Sequence, residues 1–165
     1  MATLTFRAAL AQDAETVSAV ISSAFGPGTT PGWSEPALER FRLENTPGKL
    51  TECFAAAFFQ QVCEVDGTAI AYVYLSKPHL ISLVAVHPNY QRKGVASALL
   101  AAAMEHLDQN GSDVSVVEVS STDYSAPFYL AKGFYPISPV LTFEGCRFTR
   151  MGFWRGLRKF SRPAG

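Results

Sequence analysis

The sequence has no excess of charge of either sign. Fourteen lysine and arginine residues balance fourteen aspartate and glutamate residues, so the formal net charge of the 165 residues is zero. A protein that holds the phosphate backbone of a nucleic acid, or an anionic membrane surface, uses a positive field that this composition does not provide. We therefore expect neither a nucleic acid nor a membrane as the main partner.

Cysteine is also scarce. Cys53, Cys63 and Cys146 are an odd number without a CxxC pair, which argues against a disulfide framework and against a structural zinc site. All three fall in predicted strands without a histidine and an aspartate nearby to activate a thiol, so we expect packing residues rather than nucleophiles. The expected compartment is the reducing cytoplasm.

Long hydrophobic runs and internal repeats are absent too. Apolar runs such as Ala98–Met104 fall far short of the roughly 18 residues of a membrane-spanning helix, and the N-terminal residues lack the pattern of a secretory signal. What the sequence does contain is 48% hydrophobic, 12% aromatic and 17% charged residues, which is a globular composition. We expect one domain with a sizeable core.

Hydrophobic periodicity predicts a mixture of helices and strands. Alternation at Leu4 and Phe6 predicts a first strand, and a helix follows from Asp13. The segment Phe25–Pro36 holds three prolines and three glycines, which predicts an irregular and mobile loop. The later predicted elements are a helix after Ser34 that stops before Thr46-Pro47-Gly48, a hairpin of Cys53–Val65 and Ala69–Leu75 on the turn Asp66-Gly67, a strand Leu80–Val86, a helix from Gly94 to Asn110, a strand Val114–Val119, a short helix Ser125–Lys132, and strands Val140–Phe143 and Arg147–Phe153.

The junction between the Leu80–Val86 strand and the helix at Gly94 is the most informative segment. The strand ends at Pro88, and a short loop then presents Arg92 and Lys93. Backbone N–H groups at a helix N-terminus lack partners and carry the positive end of the helix dipole, so they suit a phosphate or pyrophosphate. Neither GxxxxGK[ST] nor GxGxxG occurs, which disfavours a nucleotide-binding protein of the P-loop or dinucleotide type.

Two motifs follow each other in this part of the chain. The first is a strand ending in V-x-P, here Val86 to Pro88, followed by Q/R-x-x-G-x-G/A at the start of a long helix, here Gln91–Ala96. The second is a tyrosine four residues before Gly-Phe, here Tyr129 before Gly133-Phe134. Together they resemble the GNAT superfamily of acetyl-CoA-dependent N-acyltransferases, and the order of predicted elements extends the resemblance over nearly the whole chain.

The resemblance implies an α/β (α+β) fold, with a central mixed, mostly antiparallel sheet of about six or seven strands flanked by helices. It also implies a V-shaped opening between the strands of Val84 and Glu118. We assign residues 1–153 to a single GNAT-type domain and residues 154–165 to a basic C-terminal tail.

The resemblance also implies acetyl-CoA as co-substrate and no metal. In the family, the backbone of the strand that corresponds to Val84, Ala85 and Val86 pairs with the pantetheine arm as a further strand would. The following helix start holds the pyrophosphate through main-chain amides, here those of Arg92, Lys93, Gly94, Val95, Ala96 and Ser97. The side chains of Arg92 and Lys93 are either solvated charges or phosphate contacts, and their place at the anion site favours the second role.

Three further side chains match family positions. Tyr129 matches a tyrosine that protonates the leaving thiolate, although it could simply pack under the cofactor. Glu118 in Val-Glu-Val matches a proton acceptor of members that acetylate ribosomal-protein amino termini; a solvent-facing carboxylate, with water as acceptor, is the alternative. Asp123 stands where many relatives contact the cofactor through asparagine, and it could instead cap the helix that starts at Ser125.

The implied reaction is direct transfer of an acetyl group from acetyl-CoA to an amine through a tetrahedral intermediate. A backbone N–H near Val86 would polarise the thioester carbonyl. The Phe25–Pro36 loop with Trp33, together with Phe41, would line the acceptor side. We expect a small-molecule amine as acceptor and a monomer or homodimer. Acetylation of a peptide or protein N-terminus or of a lysine stays open, as does an acyl-CoA sensor without turnover.

Overall fold

The structure, a computed structural model, describes residues 2–110 and 113–156, and this part of the chain forms seven strands and five α-helices. None of the helices in this part is long and apolar enough to cross a membrane. The elements in chain order are β1 (Leu4–Arg7), α1 (Ala14–Ala24), α2 (Glu35–Glu44), α3 (Pro47–Ala56), β2 (Phe59–Val65), β3 (Thr68–Lys77), β4 (Leu80–Val86), α4 (Val95–Gln109), β5 (Val116–Ser121), α5 (Ala126–Ala131), β6 (Tyr135–Phe143) and β7 (Cys146–Trp154).

All seven strands form one sheet in the order β1-β2-β3-β4-β5-β7-β6. Neighbouring strands are antiparallel except for β4 and β5, which are parallel because α4 carries the chain back along the sheet between them. The mixed, mostly antiparallel sheet that the resemblance implied is therefore confirmed.

The pairing of β4 with β5 is much shorter than either strand. Two residue pairs join them, Leu80 with Glu118 and Ile81 with Val119, and both strands then continue. Beyond Ile81 the two backbones separate and the middle of the sheet opens. The predicted V-shaped opening beside Val84 is present.

A β-bulge at Ser82 lies where β4 leaves β5. Tyr74 of β3 pairs with Leu83, and the next residue, Leu75, pairs with Ile81, so Ser82 is the extra residue. Because of this insertion, Ile81 packs on the α4 side of the sheet and Leu83 on the α1 side, although they lie two residues apart. A bulge bends the strand that carries it, so this one directs the rest of β4 away from β5.

Apolar cores cover both faces of the sheet. On one face α4 buries a stripe of side chains that recur every four residues and therefore share one side of the helix: Val95, Leu99, Ala103 and Leu107. On the other face α1 and α3 pack on the sheet in a core that includes Val17, Ile21, Leu50 and Tyr72 of β3. Packing of α4 against the sheet places its N-terminus at the opening between β4 and β5.

The helix α3 was not predicted. We expected Pro47-Gly48 to end a helix and a strand to begin at Cys53, and this was wrong: Pro47 starts α3, Cys53 lies on that helix, and β2 begins at Phe59. Proline is well accommodated in the first turn of a helix, where its missing N–H would have no helical partner. The dipeptide Thr46-Pro47 therefore starts a helix as readily as it ends one.

The fold extends slightly beyond the predicted domain boundary at residue 153. Trp154 is the last residue of β7, and the guanidinium group of Arg155 donates to the carbonyl oxygen of Val114 and pairs with Asp108. The rest of the predicted basic tail, residues 157–165, lies outside the described residues.

The predicted loop is irregular from Phe25 to Ser34, whereas Glu35 and Pro36 already belong to α2, and hydrogen bonds anchor it. The indole N–H of Trp33 donates to the carbonyl oxygen of Arg147 at 2.9 Å, and the Ser34 N–H donates to that of Gly145 at 2.9 Å. Both acceptors belong to the β6–β7 hairpin. The loop is thus docked on this hairpin rather than free, at the edge of the opening.

The turns Asp66-Gly67 and Glu144-Gly145 form a matched pair for measuring what this docking contributes. Both glycines have positive φ, +79° and +82°, but a Cβ on Gly67 would meet open space, whereas a Cβ on Gly145 would collide with Ser34 Oγ. We expect Gly67→Ala to lower the free energy of unfolding by about 1–2 kcal/mol through backbone strain. Gly145→Ala should lower it by at least about 1 kcal/mol more, because Ser34 must move. Urea unfolding measures both; equal losses would contradict a stabilising role for the docked loop.

Candidate active site

A cleft of about 700 Å³ lies where β4 and β5 separate. One part, which we call the strand half, is formed by β4, the start of α4 and α5, with Val84, Val86, residues 94–97 and Tyr129 in its lining. The other part, which we call the aromatic half, is formed by the α1–α2 loop, α2 and β7. Its lining includes Phe25, Trp33, Phe41, Cys146 and Phe148.

The backbone of β4 faces the strand half with groups that the sheet does not pair. The His87 N–H, just beyond the strand, donates to the carbonyl oxygen of Ile70 at 2.8 Å and so points toward β3. Since backbone groups alternate in direction along a strand, those of Val84 and Val86 point toward the opening. The carbonyl oxygen of Val86 accepts a hydrogen bond from Gln91 Nε2 at 3.0 Å, which agrees with this direction.

The start of α4 forms the adjacent wall. Gly94 is the N-cap with φ +81°, and Arg92 also has a positive φ of 60°. A Cβ on Gly94 would have no atom of the described residues within 4 Å, so its backbone borders open space. The Ala98 N–H makes the first helical bond, to Gly94 at 3.0 Å, which leaves the N–H groups of residues 95–97 without helical partners. Such a helix start suits an anion.

Tyr129 of α5 lines the cleft and is 5% exposed. Its ring lies between those of Phe128 and Phe134, with centroids 5.1 and 5.3 Å away. Burial raises the pKa of the Tyr129 hydroxyl above its usual range, because surroundings of low polarity disfavour the phenolate. The phenol therefore keeps its proton at neutral pH and can donate it into the cleft.

Glu118 lies beside the cleft and outside its lining. It belongs to the short β4–β5 pairing, and its N–H donates to the carbonyl oxygen of His79 at 2.7 Å. Its side chain is 30% exposed, and the carboxylate accepts a hydrogen bond from Arg150 Nη2 at 2.6 Å. Ser120, two residues along the same face of β5, does line the cleft, so the carboxylate lies one step away from it.

The side chains of three predicted cofactor-binding residues also lie outside the lining. Ala85 packs into the core on the α1 side, because it alternates with its neighbours along β4. The ammonium group of Lys93 lies 5.6 Å from the ring centroid of Tyr90. The carboxylate of Asp123 accepts a hydrogen bond from Arg147 Nε at 2.8 Å. Of the predicted cofactor-binding residues, the cleft is thus lined by Val84, Val86, Arg92, Gly94, Val95, Ala96 and Ser97.

The second role considered for Asp123, a helix cap at α5, was wrong. The Ser125 N–H donates instead to Thr122 Oγ1 at 3.2 Å. Thr122 is buried at the end of β5, where it faces the turn, whereas Asp123 is exposed and within reach of Arg147.

A polar bridge across the cleft was missed by sequence analysis. The Tyr124 hydroxyl donates to Gln91 Oε1 at 3.2 Å, and Gln91 in turn bonds to Val86. Gln91 belongs to the motif at the start of α4, so the sequence could have indicated a polar role for its side chain. Tyr124 is 33 residues away and gave no such signal.

Four rings dominate the aromatic half. Phe41 lies 4.8 Å from Phe25 and 5.6 Å from Trp33, measured between ring centroids, and Phe148 projects from β7. Within residues 2–110 and 113–156, Arg92 is the one charged side chain that lines the cleft. The same residues contain no group of three or more His, Cys, Asp or Glu side chains placed to hold a metal ion.

Comparison with known proteins agrees with this architecture. The GCN5-related N-acetyltransferase from Rhodopseudomonas palustris is 20% identical, with 93% of this chain and 97% of that chain covered and a TM-score of 0.79. The PaiA N-acetyltransferase from Thermoplasma acidophilum, solved with coenzyme A, is 19% identical, with 92% and 99% covered and a TM-score of 0.74. The ribosomal-protein-S18-alanine N-acetyltransferase from Escherichia coli is 16% identical, with 96% of this chain and 98% of that chain covered and a TM-score of 0.64. No curated protein matches the sequence.

The family model described as an acetyltransferase (GNAT) domain matches residues 32–153, about three quarters of the chain. The matched range contains β4, the start of α4, β5 and α5, which together build the strand half of the cleft. The resemblance inferred from the two motifs is thereby confirmed. The chain belongs to the GNAT family of acetyltransferases.

Proposed function

We propose that this protein transfers the acetyl group of acetyl-CoA directly to the amine of a small molecule. The cleft carries the proposal, because unpaired strand backbone, an open helix start and a buried phenol line one continuous space. Membership of an acetyltransferase family supports it. The similar fold of the PaiA N-acetyltransferase, solved with coenzyme A, supports the choice of co-substrate.

In this proposal the coenzyme lies along β4 and ends at α4. The backbone groups of Val84 and Val86 that the sheet does not pair receive the pantetheine arm as a sheet edge receives an added strand. The first N–H groups of α4 hold the pyrophosphate, with Arg92 beside them and Lys93 at the margin. The Val86 N–H then faces the thioester carbonyl, where it stabilises the negative charge that develops on the oxygen.

The reaction needs one proton delivered and one removed. The amine nitrogen attacks the thioester carbonyl carbon, and collapse of the tetrahedral intermediate breaks the carbon–sulfur bond. Tyr129 gives its proton to the leaving thiolate, and the attacking nitrogen loses a proton. Glu118 accepts that proton through water on the face of β5 that it shares with Ser120, since the carboxylate itself lies outside the lining.

We also propose that the protein works in the cytoplasm as a monomer or homodimer. Cys53, Cys63 and Cys146 are free thiols, which suits a reducing compartment. The edge strand β6 exposes Tyr135 and Phe143, side chains that are compatible with contact to a second copy.

Gly94→Val is expected to weaken acetyl-CoA binding at least about tenfold, because a branched side chain would occupy the space where N–H groups meet the pyrophosphate. Isothermal titration with acetyl-CoA measures the change. Gly67→Val is the matched control: Gly67 has nearly the same φ, +79° against +81°, and open space around its Cα, but lies in a distant turn. Equal affinity of the two variants for acetyl-CoA would show that the start of α4 is not part of the binding site.

Tyr129→Phe is expected to lower kcat for acetyl transfer by about 10²–10⁴-fold while acetyl-CoA binding hardly changes, because the ring still packs but the proton donor is gone. Release of the coenzyme thiol from acetyl-CoA, measured with a panel of amines, follows the reaction. Tyr72→Phe is the control, since Tyr72 is buried outside the cleft and its hydroxyl has no partner in the described residues. Near-normal turnover of Tyr129→Phe would show that the hydroxyl is not required and that Tyr129 only packs in the site. Absence of thiol release by the unaltered protein with every amine would favour an acyl-CoA sensor.

Glu118→Gln is expected to depress kcat/KM most at low pH and to recover as the pH approaches the pKa of the amine, because an ammonium ion cannot attack the thioester. Thiol release measured across pH tests this. Arg150→Met breaks the same ion pair without removing the carboxylate, so it separates a base from a structural partner. A loss that is flat across pH and equal in both variants would assign Glu118 to positioning, and no loss would make it a solvent-facing carboxylate.

A further inference from the structure

We propose that the acceptor is an amine carried on an aromatic or bulky apolar group, and that the aromatic half of the cleft selects it. This inference rests on the proposed function and goes further by naming the class of acceptor. Its evidence is the arrangement of the rings, the contacts that hold them in place, and the distribution of charge around them.

The rings are arranged so that they form a receptive surface. Phe25 and Phe41 are tilted by 42°, and Trp33 meets Phe41 edge-on at 77°. These are favourable arrangements for aromatic pairs, so the rings stabilise one another without a ligand. All three, and Phe148 opposite, are half-buried and line the cleft. A flat or branched apolar group bound there would cover ring surface that now faces the cleft.

Contacts outside the cleft hold the rings in place. The indole N–H of Trp33 is bonded to Arg147 of β7, and Arg40, which precedes Phe41 on α2, donates to the carbonyl oxygen of Glu144 at 2.7 Å. These bonds join the α1–α2 loop and α2 to the β6–β7 hairpin. A surface that is ordered beforehand loses little freedom on binding and therefore favours ligands that match its shape.

The charges around the cleft disfavour hydrophilic amines. In the described part of the chain the lining contains no carboxylate, and Glu118 and Asp123, which adjoin lining residues in sequence, are paired with Arg150 and Arg147. A second ammonium group, as in a diamine, would lose its hydration without gaining a counter-ion. The carrier of the reacting amine therefore holds no second positive charge.

The same surroundings help the chemistry. A site of low polarity lowers the pKa of a bound amine, because it disfavours the charged ammonium form. The amine then gives up its proton more easily before its nitrogen attacks the carbonyl carbon. This matters here because the one carboxylate close to the cleft on β5, Glu118, is engaged by Arg150.

Thiol release with 2-phenylethylamine, 1,4-diaminobutane and a short alanine peptide tests the inference. We expect kcat/KM for 2-phenylethylamine to exceed that for each of the others by at least about tenfold. Phe41→Leu keeps an apolar side chain but removes the ring, so it should raise KM for 2-phenylethylamine about 2- to 12-fold and leave KM for acetyl-CoA unchanged. Phe54→Leu is the control, because Phe54 packs on Tyr72 outside the cleft. Phe148→Leu repeats the test from β7 if Phe41→Leu does not fold.

Alkylation of Cys146 gives a readout that does not depend on turnover. Cys146 lines the aromatic half, whereas Cys53 lies on α3 outside the cleft. With desulfo-coenzyme A present, which lacks the thiol that would itself react with iodoacetamide, 2-phenylethylamine should slow labelling of Cys146 by iodoacetamide but not labelling of Cys53, and 1,4-diaminobutane should slow neither. Protection of Cys146 by 2-phenylethylamine without acetylation of any amine would overturn the proposed function but support the aromatic half as a binding site. Turnover that is fastest with the diamine or the peptide, or the absence of selective protection, would overturn the aromatic acceptor and leave acetyl transfer standing.

Discussion

The active site depends on one interruption of the sheet: the pairing of β4 with β5 stops after two residue pairs. Backbone N–H and C=O groups in the middle of a sheet are normally paired, and leaving them buried without partners is unfavourable. Here they border a cleft, and the side-chain amide of Gln91 satisfies the carbonyl oxygen of Val86. A gap in the hydrogen-bond ladder is thus converted into an edge that an extended ligand can join.

The packing around the sheet keeps this gap open. β4 is held on its other side by β3, and β5 is held by β7, so each strand stays paired along one edge. A single core beneath α4 contains residues of both groups of strands, including Val73, Leu75, Val117, Val119 and Met151. Because this one core joins the two groups, the strands diverge without the fold dividing into two parts.

Burial of the cleft and the lack of carboxylates in its described lining act together. The pKa of Tyr129 is raised by the same low polarity that would lower the pKa of a bound amine, so one environment keeps the acid protonated and favours the neutral nucleophile. The arginines of β7 pair with the carboxylates beside the cleft and keep those charges at its margin. The aromatic lining is docked on the same strand through Trp33.

The amino-acid sequence alone was sufficient to predict most elements and the family, because those signals are local. An apolar run between Pro78 and Pro88 indicated β4, Gly94 marked the start of α4, and the spacing of Tyr129 from Gly133-Phe134 placed a phenol on a short helix. The helix α3 was not predicted because a threonine-proline pair can occur where a helix begins as well as where one ends. The partners of the site residues were decided by tertiary structure alone. Arg147 lies 24 residues from Asp123 and 114 from Trp33, and Arg150 lies 32 from Glu118. These contacts form because β7 inserts between β5 and β6, and local periodicity does not encode the order in which strands pair.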